Sequence, residues 1–413
     1  MLLENLSIEK LPYLERYVNS GSPSGFTNRY TTSEETKPFG LSPFFNPLIC
    51  VAPDECFKNY GKMPAFKELE EVTGKNWLLV HPDMKNEKVF KSKNVLLKKS
   101  KKIKLVPTAS GRTVELFDSS TKGYFKLHYT HVIGRITREL DNRIGVAGPE
   151  ISKHLVSLID QNKLDSRLTL MRETGARIFQ GHVNEKPVEW GMVWREKDAY
   201  KIDYNEVKYV IPVFSLFGKD ILAKRDKPLL KQIINHIGAN PTDYVLKQLI
   251  FPIIELYFNL IKNSGIQPEW HAQNLLIGFT IDFVPVKFIM RDLESMDKDL
   301  TFMEEHNIKA KFESYPFKCI FKEQWNYQRK HSFMYDYKFG EYIIQPLLNF
   351  LRKSYKIETL PLHHKIKLHS KKFIDEFPID FFPEYWVVFR KILIDQTTDK
   401  RPYVHKKNPK FRF

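Results

Sequence analysis

Between residues 269 and 292 the chain reads EWHAQNLLIGFTIDFVPVKFIMRD. Glu269, His271, Gln273 and Asn274 put four side chains able to bind phosphate, metal or a carboxylate into six positions. A strand-like run from Val284 to Met290 then delivers Arg291 and Asp292. An H-x-x-N turn, a short hairpin and a strand-end aspartate can hold Mg²⁺ on a nucleotide, because a hard cation takes oxygen ligands from an amide and a carboxylate. Kinase catalytic loops solve the same problem with an Asn and an Asp. A buried histidine flanked by turn-capping Asn and Asp gives the same pattern, so the spacing alone leaves both open.

A second group lies earlier. Pro107 to Phe117 and Tyr124 to Tyr129, joined by a turn around Lys122-Gly123, predict a hairpin with Ser110, Arg112 and Thr113 on one strand and Lys126 on its partner. Residues two apart on a strand share a face, so Ser110 and Arg112 point the same way, while Gly111 lets a ligand approach the backbone. That face suits a triphosphate: Arg offers a planar fork, Lys a compact charge, Ser a neutral donor. Ile133 to Leu140 predicts the start of a helix, with Arg135 and Arg138 three apart on neighbouring positions. Leu168 to Met171 predicts a strand ending in Arg172-Glu173-Thr174-Gly175, which reads equally as a strand-end salt bridge or as part of a site.

These residues need a scaffold, and 413 residues supply more than one ordinary core. The expected organisation is an N-terminal segment over 1–45, a β-rich domain over 46–218 and a mainly helical domain over 219–413. Residues 1 to 18 predict a short amphipathic helix. Leu48 to Ala52 and Trp77 to His81 predict strands, with a helix between them over Ala65 to Thr73. Beyond Gly218 the periodicity turns helical, over Lys227 to Ile237, Pro241 to Lys262 and Gly340 to Lys353. The Pro241 to Lys262 helix would carry the chain straight into the Glu269 to Asn274 turn.

The net charge of +16 suits nucleic acid, a membrane surface or anionic small molecules and does not choose among them. The densest basic run, Lys91 to Lys104, has no interleaved aromatics, which argues for a solvated hairpin over a nucleic-acid surface. Cys50, Cys56 and Cys319 form neither a disulfide framework nor a close metal pair, so a reducing compartment is expected. His363 and His364 lack the i, i+4 spacing of a helical metal site. No window reads as a membrane span and the first residues do not read as a leader, so a cytoplasmic protein is expected.

Several motifs follow one another in the order of a known family: HPD at His81 to Asp83, PTASGRT at Pro107 to Thr113, the Lys126 strand, and ITREL with Arg138. RETG at Arg172 to Gly175, EWHAQN at Glu269 to Asn274, RDLE at Arg291 to Glu294 and a terminal Asn408-Pro409 complete the series. Over roughly residues 45 to 413 the chain resembles the siderophore synthetases that work without a nonribosomal peptide synthetase, the aerobactin synthetase type. The resemblance implies an α+β fold shaped as a cupped hand, with β-rich fingers, a helical palm and, here, a reduced thumb. It implies ATP and Mg²⁺ as cofactors, a homodimer, and adenylation of a carboxylic acid followed by displacement of AMP by an amine or alcohol.

Carried over by position, the resemblance assigns Ser110, Arg112, Thr113, Lys126, Arg138, His271, Gln273 and Asn274 to ATP. Arg112, Arg138 and His271 are the expected catalytic residues. Glu269, Asn274 and Asp292 are the expected metal ligands, and Arg29 and Glu173 the expected acid contacts. The family's G-H-P-x-H-P-x-x-K motif has its nearest counterpart at Gly21 to Arg29, which keeps Gly and Pro, lacks both histidines and has Arg29 in place of the lysine. Gly134 stands where the family commonly has Thr, and Trp270 replaces a small residue. Three readings fit: an active synthetase with an unusual acid, a small-molecule kinase, or a non-catalytic homologue that binds a nucleotide or siderophore or serves as a partner subunit. The retained adenylation residues favour the first. No glycine-rich phosphate loop precedes a strand lysine as a kinase requires.

Overall fold

The computed structural model describes residues 3–18, 33–74, 76–92, 94–100, 103–117, 119, 121–133, 136–224, 226–313, 319–320, 327–389 and 403–413. Gly21 to Arg29, Gly134 and Arg135 lie outside them. Helix α1 (Leu11–Tyr17) opens the chain after two short 3₁₀ turns. The strands that follow are β1 (Leu48–Val51), β2 (Phe57–Gly61), β3 (Trp77–Val80) and β4 (Leu96–Lys99), with α2 (Lys67–Thr73) between β2 and β3. Next come β5 (Lys104–Pro107), β6 (Thr113–Phe117), β7 (Gly123–Leu127), β8 (Tyr129–Ile133) and β9 (Ile136–Arg138). Helix α3 (Asn142–Asp160) leads into β10 (Leu168–Val183), β11 (Lys186–Ala199) and β12 (Tyr209–Pro212).

A nine-stranded sheet holds the molecule together. Its order is β12, then β14 (Leu275–Phe279), β15 (Pro285–Met290), β10, β11, β7, β6 and β5, and β2 also pairs with β10. Strand β10 changes partner along its length: Leu168 to Leu170 run parallel to Phe288 to Met290, whereas Gly175 to Phe179 run antiparallel to β2. The sheet therefore crosses Gly218 without a break, and strands from both sides of the expected boundary share it. Between the two stretches of β10 the pairing with β11 slips on either side of Glu173. Such bulges re-aim a side chain, and here the re-aimed residue is a buried glutamate.

Two cores flank this sheet. The smaller packs Phe66, Trp77, Phe125, Trp190 and Trp194 between the main sheet and the antiparallel β3–β1–β4 sheet. The larger gathers Ile151, Ile233, Tyr257, Trp270 and Phe339 under the helices of the second half. Helix 241–264 is long and apolar enough by composition to cross a membrane, and two thirds of its apolar window is buried in the protein. Its stretch Tyr244–Ile250 is π-helical just ahead of Pro252, and Phe333–Ile344 is π-helical just ahead of Pro346. A proline inside a helix removes one donor and crowds the carbonyl four residues back, and the wider π turn accommodates both.

Two expectations fail locally. Ile136 to Leu140 does not start a helix: β8 and β9 form a hairpin that sets Arg138 opposite Tyr129. The β-branched Ile136 and Thr137 favour extension, and the helix starts only after Asp141, whose carboxylate accepts from Ile144 N at 3.1 Å. The second is the strand expected over Pro107 to Phe117: Thr108 to Arg112 form a tight turn between β5 and β6, so Ser110 and Arg112 do not share a strand face. Helix α3 has no counterpart in the sequence reading, because Gly145, Gly148 and Pro149 interrupt its pattern. Gly148 is there for contact, since a Cβ would come 2.6 Å from Glu173 Oε2.

Candidate active site

The site forms where strands β6, β7, β10 and β11 meet the turn after helix 241–264. Its first part is the Thr108 to Thr113 turn. Thr108 N donates to Thr113 O at 2.9 Å, Gly111 N to Thr108 O at 3.0 Å, and Thr113 N to Ser110 Oγ at 3.0 Å. Gly111 has φ +74°, a conformation that glycine adopts without a Cβ penalty. Arg112 is held behind this turn, donating from one nitrogen to Leu127 O at 3.3 Å and Arg138 O at 2.9 Å. Burial and the nearby Arg138 push its pKa down to about 10, against the pull of Glu294, Asp292 and Glu173. Arg112 thus remains a cation, with little solvent around it and most of its fork uncommitted to carboxylates.

The second part is electrostatic. Strand register sets Thr113 opposite Lys126, Tyr124 opposite Arg195, and Arg195 opposite Glu173. Lys126 Nζ reaches Asp292 Oδ1 at 3.1 Å and Glu173 Oε1 at 4.0 Å, and makes a close ion pair with Glu294. Arg195 bonds the same Asp292 Oδ1 and lies over the Tyr124 ring. The carboxylates of Glu173, Asp292 and Glu294 present oxygens that all lie within 4.8 Å of one another. Burial, then the charge of Glu294, raises the Glu173 pKa well above the ordinary value although Lys126 opposes this. Burial would also raise Asp292, but Lys126, Arg195 and Arg291 together outweigh it and hold that carboxylate well below the usual range. Asp292 sits at φ +61°, left-handed backbone that aspartate tolerates better than most residues.

The third part is the Glu269 to Asn274 turn. Asn274 N donates to His271 O at 2.9 Å and Asn274 Nδ2 to Glu269 O at 3.2 Å, while buried Asn274 Oδ1 has no hydrogen-bond partner among the described residues. Gln273 N donates to His271 Nδ1 at 3.2 Å, which places the proton of the neutral ring on Nε2. Burial lowers the His271 pKa to about 4, with Glu269 and Asp292 raising it and Lys338 and Arg138 lowering it. The imidazole is therefore a neutral donor near pH 7. Arg291 ties the turn to its strand through Asn274 O and Gln273 O, at 3.1 and 2.7 Å, and pairs with Glu15 of α1 at 2.6 Å.

Of the residues singled out in the sequence, Arg112, Lys126, Arg138, His271 and Asp292 share one electrostatic neighbourhood. Ser110 and Thr113 shape the adjoining turn, and Gln273 and Asn274 the opposite one. The expected metal set of Glu269, Asn274 and Asp292 is not the carboxylate group that the fold assembles. Glu269 pairs with Lys338 at 2.5 Å, and the carboxylates gathered around Asp292 are Glu173 and Glu294. Glu173 was expected at the acid substrate and Arg29 lies outside the described residues. Sequence reasoning passed over Glu294, Arg195 and Glu15. RDLE contains the first of these, but no local signal marks the other two, whose partners lie 97 and 276 positions away.

Residues 77–218 match the IucA / IucC family. Petrobactin biosynthesis protein AsbB from Bacillus anthracis str. Sterne superposes with a TM-score of 0.66 at 15% identity, over 94% of this chain and 75% of that one. ATP-bound aerobactin synthetase IucA from a hypervirulent pathotype of Klebsiella pneumoniae gives 0.65 at 12% identity, over 97% and 78%. IucC from the same source gives 0.63 at 14% identity, over 88% and 69%. A comparison with curated protein sequences found no match. The α+β fold is the one expected: residues 77–218 match the IucA / IucC family, and the fold is similar to those of the petrobactin and aerobactin proteins.

Proposed function

We propose that this protein is an ATP-dependent siderophore synthetase that adenylates a carboxylic acid and joins it to an amine or alcohol. The observation that carries this reading is the meeting of Arg112, Lys126 and Arg138 with the His271 to Asn274 turn and the Glu173, Asp292 and Glu294 carboxylates. Cations and oxygen ligands are thus gathered in one place, as a metal-bound triphosphate needs. ATP is the nucleotide bound by the similar IucA.

In the first step a carboxylate oxygen of the acid attacks the α-phosphorus, the bond to the bridging oxygen of pyrophosphate breaks, and acyl adenylate and pyrophosphate result. Arg112, Arg138 and Lys126 offset the charge that develops on the phosphoryl oxygens. His271, neutral and protonated at Nε2, donates a hydrogen bond to an α-phosphate oxygen or orients the carboxylate. In the second step the nucleophile attacks the acyl carbon, AMP leaves with the carbon–oxygen electron pair, and the nucleophile loses its proton. The donor set fits Mg²⁺: it is all oxygen, Glu294 Oε2 is buried with no hydrogen-bond partner, and Asn274 Oδ1 is likewise unengaged. Glu173, Asp292, Glu294 and Asn274 would hold the ion, which would offset charge on the triphosphate. A cytoplasmic homodimer goes with this reading, and sedimentation velocity tests its stoichiometry.

The deciding experiment supplies Mg²⁺, ATP, a panel of di- and tricarboxylic acids and hydroxylamine as a general nucleophile, and identifies the nucleotide product. AMP and pyrophosphate that depend on one acid are expected. ADP would move the protein to the kinase reading, and no product with any acid would move it to a binding or partner role.

A further inference from the structure

The cluster of Glu173, Asp292 and Glu294 already contains a cation. Lys126 is 4% exposed, and its ammonium contacts Glu294, lies 3.1 Å from Asp292 Oδ1 and 4.0 Å from Glu173 Oε1. It occupies the space between the carboxylates from which a metal ion would take its oxygen ligands. A divalent ion there would face the Lys126 charge at contact distance in a site with little water to screen it. Glu294 Oε2, in a residue 6% exposed, has no hydrogen-bond partner among the described residues. The lysine therefore neutralises the cluster without saturating its oxygens.

Lys126 is also the strand residue opposite Thr113, at the end of the Ser110 to Thr113 turn. It can turn from the carboxylates toward phosphate oxygens beside that turn without any movement of its strand. Building on the synthetase reading above, we infer that Lys126 is an exchangeable counter-ion: it holds the three carboxylates in the nucleotide-free protein and passes to the triphosphate when a metal–nucleotide complex enters. Free metal is thereby kept out, and metal and nucleotide load together. In the exchange the incoming divalent ion takes the place of Lys126 on the carboxylates, which gain one positive charge, and the phosphates receive the ammonium.

The test is Mn²⁺ binding followed by electron paramagnetic resonance, with and without α,β-methylene-ATP, whose α–β link adenylation cannot break. Nucleotide-free wild-type protein should leave Mn²⁺ largely free. Lys126→Gln should bind it roughly 10- to 100-fold more tightly without nucleotide, the range typical of altering a group that tunes metal ligands. Lys126→Arg, which keeps the charge, should not show this gain, and Lys126→Gln/Glu294→Gln should lose it. Tight Mn²⁺ binding by nucleotide-free wild-type protein that Glu294→Gln removes would overturn the inference, and this measurement stands even if Lys126→Gln fails to fold. Absence of protein-bound Mn²⁺ in every protein, with the analogue present, would remove the metal site and the exchange with it. Acid-dependent AMP formation is read separately, so a failed exchange and a failed synthetase reading give different results.

Discussion

The Thr108 to Thr113 turn and the Glu173, Asp292 and Glu294 cluster face the same space but are built in opposite ways. The turn is self-contained: its three hydrogen bonds close within six residues, and its one unusual backbone angle falls on a glycine. The cluster is assembled from afar. Lys126 and Glu294 are 168 positions apart, Glu294 N and Glu173 are 121 apart, and Arg291 reaches back to Glu15. A local turn tolerates change around it because its bonds travel with it. A cluster of buried like charges depends on cations brought to it from distant parts of the chain.

That contrast can be broken most severely at Arg195. Arg195→Met removes a fully buried cation from Asp292 and should cost about 3–5 kcal/mol of stability, measured by chemical denaturation, because the carboxylates are left uncompensated. Glu15→Ala should cost about 3 kcal/mol, somewhat less because Arg291 keeps its bond to Gln273 O. Retention of wild-type stability by Arg195→Met would mean that the cluster does not depend on its distant cations, and retention by Glu15→Ala that the Arg291 pair does not anchor α1.

Acid separates the two regions by sign. His81, beside Gly111, and His128, stacked on Trp190 at 4.0 Å, both have pKa values lowered to about 4, chiefly by burial. The unfolded chain takes up these protons below about pH 6.5 and the folded protein only near 4, so stability on this side falls as pH drops through that window, by up to about 1.4 kcal/mol per unit for each histidine. Glu173 acts in reverse: its raised pKa means that the folded state gains stability relative to the unfolded chain as pH falls toward the ordinary carboxylate value. With His81, His128 and the equally lowered His271 against one glutamate, the melting temperature should fall between pH 6.5 and 4.5, and His128→Phe should flatten the slope. The smallest effect belongs to the turn. Ser110→Ala removes the acceptor for Thr113 N and should cost about 1 kcal/mol, with any larger loss confined to the apparent affinity for ATP.

The same contrast explains what could be read from the sequence. The His271 to Asn274 turn is written within six residues, so residue type and spacing display it, whereas Ser110 and Arg112, expected on one strand face, lie in the tight Thr108 to Thr113 turn. The bulge that turns Glu173 inward is not so written, because it arises where one strand changes from a parallel to an antiparallel partner. Arg195 reads as an ordinary strand arginine until its register sets it opposite Glu173 and Tyr124. The Ile136 to Arg138 strand was misread as helix because Arg135 and Arg138 have helical spacing, and only the pairing with β8 decides otherwise. Glu269 was placed on the metal because its neighbours in sequence suggested it. In the structure it pairs with Lys338, 69 positions away.

The π-helical stretch Phe333–Ile344 joins the catalytic turn to the far end of the chain. Lys338 reaches Glu269, and two residues earlier Asp336 receives three hydrogen bonds from Arg412 at 2.8 to 3.0 Å. Phe411 seats its ring on Gly340, where a Cβ would come within 2.6 Å of it. The last residues are thus a keystone and not a loose end: trimming Phe411 to Phe413 would strand a buried carboxylate, empty the seat at Gly340 and release the strut that braces Glu269.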